Sequence, residues 1–334
     1  MRVCNPTPFR AAGGGFYFMR NFERYLEAHG HTVTRSLADR YDVLLVNSWQ
    51  VDYDHVLEAI RRNPRVRIVH RVDGSSQDYG RGEKGDRRQG QVNRFADLTI
   101  FQSAYCRHST REKFPVIGSD GPVIHNAVDV EHFSPQGERA DLPGEGARLG
   151  YVTYSTNPMK GWRDVYTLAG QHPDLTFILI GRYESPPDLP NLHVLGPVPH
   201  EELPRMLRAC DVFLAFQRNE ACPNVVLEAM ACGLPILYAE SGATPELVGP
   251  CGLPVTVENF REQLEWLLSR REELAACARG RAVALFHPDR VFGAYVEQIE
   301  ATLRRPLGWR GVRRWLWAWA VKIGRPLKMR LPGR

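Results

Sequence analysis

The stretch RACDVFLAFQRNEACPNVVLEAMACGLPILY, residues 208–238, sets two short apolar runs around a loop and a helical segment. The runs DVFLAF and LPILY are apolar at nearly every position, which is typical of strands buried on both faces of a parallel sheet. Pro223 and the VVLEAMA segment after it are typical of a loop that leads into a helix. Strand, helix and strand in this order predict an α/β fold.

Apolar runs of the same kind occur along most of the chain. They are YDVLLVNS, VRIVHRVD, ADLTIFQS, GPVIHN, RLGYVTYS, LTFILIGR and NLHVLG. They are interrupted by SPQGERADLPGEGA, residues 134–147, whose Pro, Gly and charged residues are typical of an interdomain linker. The sequence therefore predicts two doubly wound, Rossmann-like domains, residues 1–134 and 148–290, that face each other across a central cleft, with a closing helix at 286–303.

The composition is that of a globular protein: 334 residues, of which 43% are hydrophobic and 24% charged. No stretch approaches the roughly 20 apolar residues of a membrane span, so we expect a cytoplasmic protein. The net charge is +5, but residues 304–334 hold ten Lys or Arg and no acid. The first 303 residues then carry 33 basic and 38 acidic side chains, a net charge of −5. Because the positive charge is confined to this tail, we expect no nucleic-acid partner.

The cysteines form no C-x-x-C pair and none has a His at the spacing of a zinc site. There are seven of them: Cys4, Cys106, Cys210, Cys222, Cys232, Cys251 and Cys277. An odd number without a disulfide framework predicts reduced thiols in the cytoplasm.

Two glutamates, Glu220 and Glu228, are separated by seven residues and are followed by AMACGLP at 229–235 and GATPEL at 242–247. With RACDVFL at 208–214 and VIHNAVD at 123–129, this pattern resembles family 4 of the retaining glycosyltransferases. The resemblance is dense in the second half of the chain and thin in the first. It implies the GT-B fold and retaining transfer of a sugar from a nucleotide-sugar donor, with no metal or other cofactor.

The resemblance assigns donor-binding roles to the residues around this helix start. It implies that Glu228 accepts hydrogen bonds from the donor ribose and that Glu220 lies near the transferred sugar. The first amides of a helix are unpaired and partly positive, so the backbone of Asn224 and Val225 is expected to hold phosphate. The alternative is that both glutamates only complement the helix dipole.

Lys160 and Gly161 match a K-G pair whose lysine contacts the diphosphate in that family. Five residues earlier, where the family usually has an arginine, this chain has Ser155. A departing diphosphate needs its charge neutralised. We therefore expect Lys160, the helix start and either Arg20 or Arg182 to share that task.

Three glycines, residues 13–15, precede a predicted helix that starts near residue 16 and ends at Gly30. In the family such a loop meets the donor from the opposite domain, which assigns Gly14 and Gly15 to donor binding. A flexible turn is the alternative reading of the triplet. The resemblance also places the nucleotide base against Val198.

The run VRIVHRVDG resembles the strand that carries the family's acceptor-side histidine, and Asp73 stands where that histidine is common, three residues after His70. Asp73 could orient the acceptor hydroxyl or take its proton. The alternative is a strand-end aspartate that caps a loop. A D-x-D at 52–54 fits the polar start of a helix with Asp52 as N-cap, so we predict no metal there.

The tail GWRGVRRWLWAWAVKIGRPLKMRLPGR combines four tryptophans with basic residues. As a helix it would place Val312, Trp315, Leu316 and Trp319 on one face, with the arginines Arg310, Arg313 and Arg314 at its borders and behind it. This composition is typical of a helix that lies on an anionic membrane surface. The alternative is a tail folded over the protein with its tryptophans packed and its arginines solvated.

Together these features predict a retaining glycosyltransferase, peripheral on the inner face of a membrane, that acts on a glycan or lipid-linked acceptor hydroxyl in cell-surface glycan or glycolipid synthesis. Glu220, Asp73 and Lys160 are its predicted catalytic residues. An epimerase or a phosphorylase-like enzyme on the same fold is one alternative, because a fold does not determine its chemistry. A non-catalytic glycan- or lipid-binding relative is another, and the serine at position 155 keeps it open.

Overall fold

A computed structural model describes residues 1–7, 14–114 and 118–323. Within these residues the strands form two sheets, and every strand pairing is parallel. The predicted α/β architecture with two Rossmann-like units is therefore confirmed.

The first sheet has the strand order β2-β1-β3-β4-β5. Its strands are β1 (Arg2–Cys4), β2 (Thr32–Thr34), β3 (Val43–Asn47), β4 (Arg67–Val72) and β5 (Leu98–Phe101). The helices that alternate with them are α1 (Gly14–Ala28), α2 (Tyr53–Arg62), α3 (Lys84–Asn93) and α4 (Ala104–Lys113). Strands β3, β4 and β5 are buried along their whole length. The run of β3 is mostly apolar, as a strand covered on both faces requires, whereas β4 also buries Arg67, His70 and Arg71.

The second sheet has the strand order β11-β10-β9-β6-β7-β8. Its strands are β6 (Arg148–Thr153), β7 (Thr176–Gly181), β8 (Leu192–Val194), β9 (Val212–Ala215), β10 (Ile236–Tyr238) and β11 (Gly252–Pro254). Its helices are α5 (Trp162–Gln171), α6 (Leu203–Arg208), α7 (Asn224–Ala231), α8 (Thr244–Val248), α9 (Phe260–Ser269) and α10 (Arg271–Phe286). Helix α7 starts directly after Pro223, where the sequence predicts a loop that enters a helix.

The last two described helices return to the first sheet. Helix α11 (Pro288–Arg304) places Val291, Phe292 and Tyr295 in one core cluster with Phe18 and Phe22 of α1. The final helix, α12 (Gly308–Lys322), packs against α2. No helix within the described ranges is both long and apolar enough to cross a membrane. The two halves of the chain are thus joined by the linker and again by this returning segment.

Helix α12 packs on the first half, which is the alternative that the sequence left open for the tail. Trp315 and Trp317 pack against the core beneath β3 and α2, whereas Trp309, Val312 and Leu316 are exposed. Arg314 is 2% exposed and donates to Asp97 at 2.8 Å, so the expectation that the arginines of a packed tail are solvated is wrong for this residue. Residues 324–334 of the tail lie outside the described residues.

The run GPVIHN, predicted as a strand, makes only a single bridge between Val123 and Phe101. The backbone then leaves the first sheet, because His125 and Asn126 bond to Glu246 and Cys222 of the second half. The prediction of a strand here is wrong, because His125 and Asn126 bond to the second half and do not continue the hydrogen bonds to β5.

The prediction that all seven cysteines are free thiols is also wrong. Cys251 and Cys277 form a disulfide between the segment before β11 and α10. The other five cysteines are free and buried. The two partners are 26 residues apart in a chain without other pairing signals, so the sequence offers no spacing that would reveal them.

Candidate active site

The start of α7 faces the start of α1 across the two halves. The amide of the Asn224 side chain lies 3.4 Å from the carbonyl oxygen of Gly14, to which it donates. A Cβ atom on Gly14 would lie 3.0 Å from Asn224 Nδ2, and one on Gly15 would lie 3.2 Å from Asn47 Nδ2. These two glycines belong to the first turn of α1 and not to the loop before it, which corrects the predicted helix start; Gly13 lies outside the described residues. Their lack of a side chain permits the close approach.

A buried network below this contact joins the two halves. The guanidinium of Arg71 donates to Asn47 at 2.7 Å and to Asn126 at 2.6 Å, and the amide of Asn126 donates to Asn224 Oδ1 at 2.7 Å. Arg71 is 1% exposed and stacks on the ring of Phe18. Within the described residues no carboxylate lies at ion-pair distance from it, so its partners are neutral. A cation held in this way makes the base of the cleft attractive to an anion.

Lys160 and Glu220 form an ion pair in which the ammonium contacts Glu220 Oε1. Lys160 ends a short 3-10 turn, Pro158–Lys160, and Glu220 lies in the loop between β9 and α7. The phenol of Tyr79, from the loop after β4, donates to the same carboxylate oxygen at 2.8 Å. Two predicted catalytic residues are therefore brought together, and a third group reaches them from the first half.

Glu228 lies in α7 and is 8% exposed. His200, from the loop before α6, contacts Glu228 Oε1 at 3.0 Å, and the ring of Tyr17 stacks on His200 at 4.7 Å. Burial by itself lowers the pKa of His200, but the hydrogen bond and the charge of Glu228 outweigh it and leave that pKa raised. Glu228 therefore favours the positive form of this imidazole. His200 lies in the same loop as Val198.

Val198 is partly buried against the core of the second half, and its carbonyl accepts a hydrogen bond from Tyr154 at 3.2 Å. Val225, in the first turn of α7, packs against the same core. The predicted base and phosphate contacts would therefore come from the backbone of these residues, whose side chains face the protein.

Asp73 follows β4 directly, and its carboxylate accepts a hydrogen bond from the hydroxyl of Ser48. Asp73 is exposed as a residue, but the protein atoms around its carboxyl group reduce the hydration of the charged form and raise the pKa of the carboxyl. The next residue, Gly74, approaches Ala221 so closely that a Cβ on it would lie 3.2 Å from the Ala221 Cβ. Asp73 is thus next to the loop that carries Glu220.

His70 is fully buried and takes no part in this cleft. Its ring bonds to the carbonyl of Ser48 at 3.1 Å and to Asn93 at 3.1 Å. Burial lowers its pKa to about 4, so the ring stays neutral. His70 is a core histidine, and Asp73 is the polar group that this strand presents to the cleft.

The D-x-D at 52–54 lies at the start of α2, as predicted, but the Asp52 side chain makes no capping bond. It pairs instead with Arg88 of α3. Among the described residues no group of three or more His, Cys, Asp or Glu side chains is arranged to hold a metal ion.

Ser155, at the position of the missing arginine, receives a hydrogen bond from the backbone of Asn157 and so helps to shape the turn before Lys160. Arg20 stacks on Tyr17 and acts on His200 through its charge, whereas Arg182 is exposed after β7. Arg20 is therefore near the contact of Tyr17 with His200, whereas Arg182 takes no part in it.

Comparison with known proteins gives the same fold and the same class. Residues 162–270 match the family model described as "Glycosyl transferases group 1". Spore coat protein SA of Bacillus subtilis (strain 168) is 25% identical over 320 residues, with 83% of this chain and 82% of that protein covered. The GDP-mannose-dependent monoacylated alpha-(1-6)-phosphatidylinositol monomannoside mannosyltransferase of Corynebacterium glutamicum is 29% identical over 221 residues, with 56% of this chain and 55% of that protein covered.

Solved structures share the arrangement of both sheets. Sucrose-phosphate synthase from Thermosynechococcus elongatus has a TM-score of 0.73 at 17% identity, with 90% of this chain and 99% of that chain covered. HepE of Anabaena in complex with UDP-glucose has a TM-score of 0.68 at 16% identity, with 90% and 99% covered. These findings support a GT-B glycosyltransferase. The predicted GT-B fold is confirmed, while membership of family 4 and retention of configuration stay predictions.

Several residues of this GT-B cleft have no counterpart in the sequence prediction. Tyr79, His200 and Ser48 each bond to a predicted site carboxylate, and Arg71 and Asn126 support the start of α7. Ser48 and Tyr79 stand in no motif of the family, while Arg71 lies in VRIVHRVDG and Asn126 in VIHNAVD without a role assigned to either. His200 stands in no such motif but lies two residues after Val198.

Proposed function

We propose that the protein is a retaining glycosyltransferase that moves a sugar from a nucleoside-diphosphate donor to an acceptor hydroxyl. The observation that carries the proposal is the ion pair of Lys160 and Glu220 beside the start of α7. A cation and a helix start together suit a diphosphate, and a carboxylate beside them suits the sugar that the diphosphate carries.

In the proposed reaction the bond between the sugar C1 and the diphosphate oxygen breaks, and its electron pair leaves with the diphosphate. The amides of Asn224 and Val225 and the ammonium of Lys160 take up the developing negative charge, and the buried cation of Arg71 adds to their field. Glu220 stabilises the oxocarbenium-like sugar. No metal ion is needed to neutralise the leaving group.

The acceptor oxygen then attacks C1 on the face that the diphosphate leaves. Its proton passes to Asp73 or to the departing phosphate oxygen. The raised pKa of Asp73 suits a proton acceptor, because a base whose pKa lies nearer to the working pH accepts a proton more readily. Glu228 holds the donor ribose and exchanges its contact with His200 for the ribose hydroxyls.

The relatives support a nucleotide-sugar donor without identifying its base. HepE is solved with UDP and with UDP-glucose, whereas the mannosyltransferase from Corynebacterium glutamicum is GDP-mannose-dependent. The sequence predicts that the acceptor is a glycan or is lipid-linked. Experiments with different donors and acceptors are needed to identify the sugar and the acceptor.

A donor panel tests the proposed function. One UDP-, GDP- or ADP-sugar is expected to raise the melting temperature, because a ligand that binds only the folded state at 100 times its Kd adds about 2.7 kcal/mol. The same donor should release free nucleoside diphosphate slowly, with equal rates in EDTA and in magnesium. Stabilisation without release from any donor would favour a non-catalytic binding protein, and activity that EDTA removes and manganese restores would contradict the metal-free mechanism.

We also propose that the protein docks peripherally on the cytoplasmic face of an anionic membrane through the outer face of α12. That face carries an apolar stripe of Trp309, Val312, Leu316, Trp319 and Ile323, all at helical spacing and all exposed. The basic side chains of Arg313 and Lys322 lie exposed beside it. Apolar side chains flanked by cations complement a surface of anionic lipid headgroups, where each basic residue contributes about 1 kcal/mol.

Sedimentation with vesicles of phosphatidylcholine and phosphatidylserine checks the docking. The wild-type protein is expected to sediment at low salt and to be released as salt rises. Leu316→Glu should abolish binding, since it places a charge in the stripe. Trp266→Glu, a matched change at an exposed aromatic position of α9, should leave binding intact. Equal binding of both variants and the wild type would exclude the stripe as the docking face.

A further inference from the structure

The loop after β4, residues 74–82, reaches from the first half of the chain to the site of the second. Asn157 donates to the carbonyl of Tyr79 at 3.1 Å, and Asn219 donates to the carbonyl of Asp78 at 2.8 Å. A Cβ on Gly80 would lie 3.4 Å from Met159 Cγ. We call residues 74–82 the strap. Its main chain is held by side chains that flank Lys160 and Glu220 in sequence.

The strap is also fixed from its own half. The carboxylate of Asp86 in α3 is 2% exposed and accepts hydrogen bonds from Ser75 Oγ at 2.9 Å, from the backbone of Ser76 at 2.6 Å and from Gln77 at 3.0 Å. A charged acceptor that binds several donors of one loop gives that loop a defined conformation. These hydrogen bonds therefore give the strap a defined conformation beside the cleft.

The tip of the strap is the Tyr79 phenol, which donates to Glu220 Oε1 at 2.8 Å. Burial and the neighbouring Glu220 charge raise the pKa of Tyr79 well above its usual value, so the phenol keeps the proton that it donates. Lys160 contacts the same oxygen. In the described part of the chain the contacts of this carboxylate all go to Oε1, which leaves Oε2 for a sugar hydroxyl or for the developing positive charge.

We propose that Tyr79 is a positioning residue that fixes the orientation of the Glu220 carboxylate from the opposite half of the molecule. This inference rests on the proposed glycosyl transfer. When the diphosphate draws Lys160 away, Tyr79 is the contact that keeps Oε1 in place and Oε2 toward the sugar. Turnover then depends on the contact of the strap with the second half. The approach of the two halves is in this way coupled to the reaction.

Tyr79→Phe removes only the hydroxyl and is the first test. We expect kcat to fall about 10- to 100-fold, as for loss of a hydrogen bond to a charged group, while the donor KM changes less than about twofold. Tyr166→Phe is the matched control, because that phenol donates to the Glu184 carbonyl on the outside of the second half. The control should keep wild-type kinetics.

A double-mutant cycle with Glu220→Ala separates positioning from a structural role. If Tyr79 acts through Glu220, adding Tyr79→Phe to Glu220→Ala changes kcat by less than about twofold. An equal loss in both backgrounds would overturn the inference, and so would wild-type kinetics in Tyr79→Phe. The four proteins are also compared by thermal unfolding. If the two substitutions are coupled in their effect on stability but not on turnover, the strap has only a structural role and the inference is wrong. If the wild-type protein transfers sugar from no donor, the proposed function itself is wrong.

Discussion

Glu220→Ala is expected to lower turnover by about 10²- to 10³-fold, which is the usual cost of removing a preorganised electrostatic group, while the donor Kd changes by less than about threefold. The reason is that the carboxylate meets positive charge that develops only as the sugar departs. In this structure the partners of the carboxylate are Lys160 and Tyr79, so its removal also frees Lys160 to bind the diphosphate. Steady-state kinetics and calorimetric titration with the donor found in the panel measure both quantities.

Glu228→Ala is expected to have the opposite effect, with weaker donor binding and little change in turnover. Its expected role is to hold the ribose, which does not change during the reaction, so its loss should weaken donor binding about 10- to 100-fold with kcat nearly unchanged. If both variants raise the donor Kd equally and leave kcat intact, Glu220 has no part in the chemistry.

The sequence predicts those parts of the fold that local patterns determine. Strands such as VFLA and TFILIG are buried on both faces, and a parallel strand buried in this way is usually apolar at nearly every position. The start of α7 is predicted for a related reason, because Pro223 is compatible with the turn before a helix and not with its interior. The strands β1, β2 and β11 escape prediction, because RVC, TVT and GLP lie in no longer apolar run. The equally short β8 and β10 are predicted, since they lie within NLHVLG and LPILY.

The parts of the site that the sequence misses are contacts between distant segments. Tyr79 and Glu220 are 141 residues apart, and Arg71 and Asn126 are 55 apart. Nothing in the strap, GSSQDYGRG, distinguishes it from an ordinary polar loop until the second half is placed against it. The same holds for Cys251 and Cys277, whose pairing depends on how α10 packs. Helical spacing in α12 correctly indicates an amphipathic helix but cannot show which face the protein covers.

Replacement of Arg314 by Met is expected to cost about 3 kcal/mol of folding free energy, the range for breaking one partner of a buried ion pair. Its guanidinium donates to Asp97 at 2.8 Å and to the Val66 carbonyl at 2.6 Å, and both charged side chains are almost completely buried. Without Arg314, Asp97 keeps Arg67, but only at 4.0 Å. The loss should therefore remain large although it is not complete.

For a unit of 150–250 residues, a loss of about 3 kcal/mol lowers the melting temperature by roughly 6–12 °C. Arg304→Met is the matched control: this arginine is exposed and pairs with Glu300 on the surface of α11, so its loss should cost less than about 0.5 kcal/mol. Calorimetry of both variants measures the difference. Arg314→Met with a wild-type melting temperature would mean that α12 is not held on the first half, and the outer stripe could then not be identified from this packing. A large loss would establish that the inner face of α12 is occupied by the protein, so that only its outer face is open to a membrane.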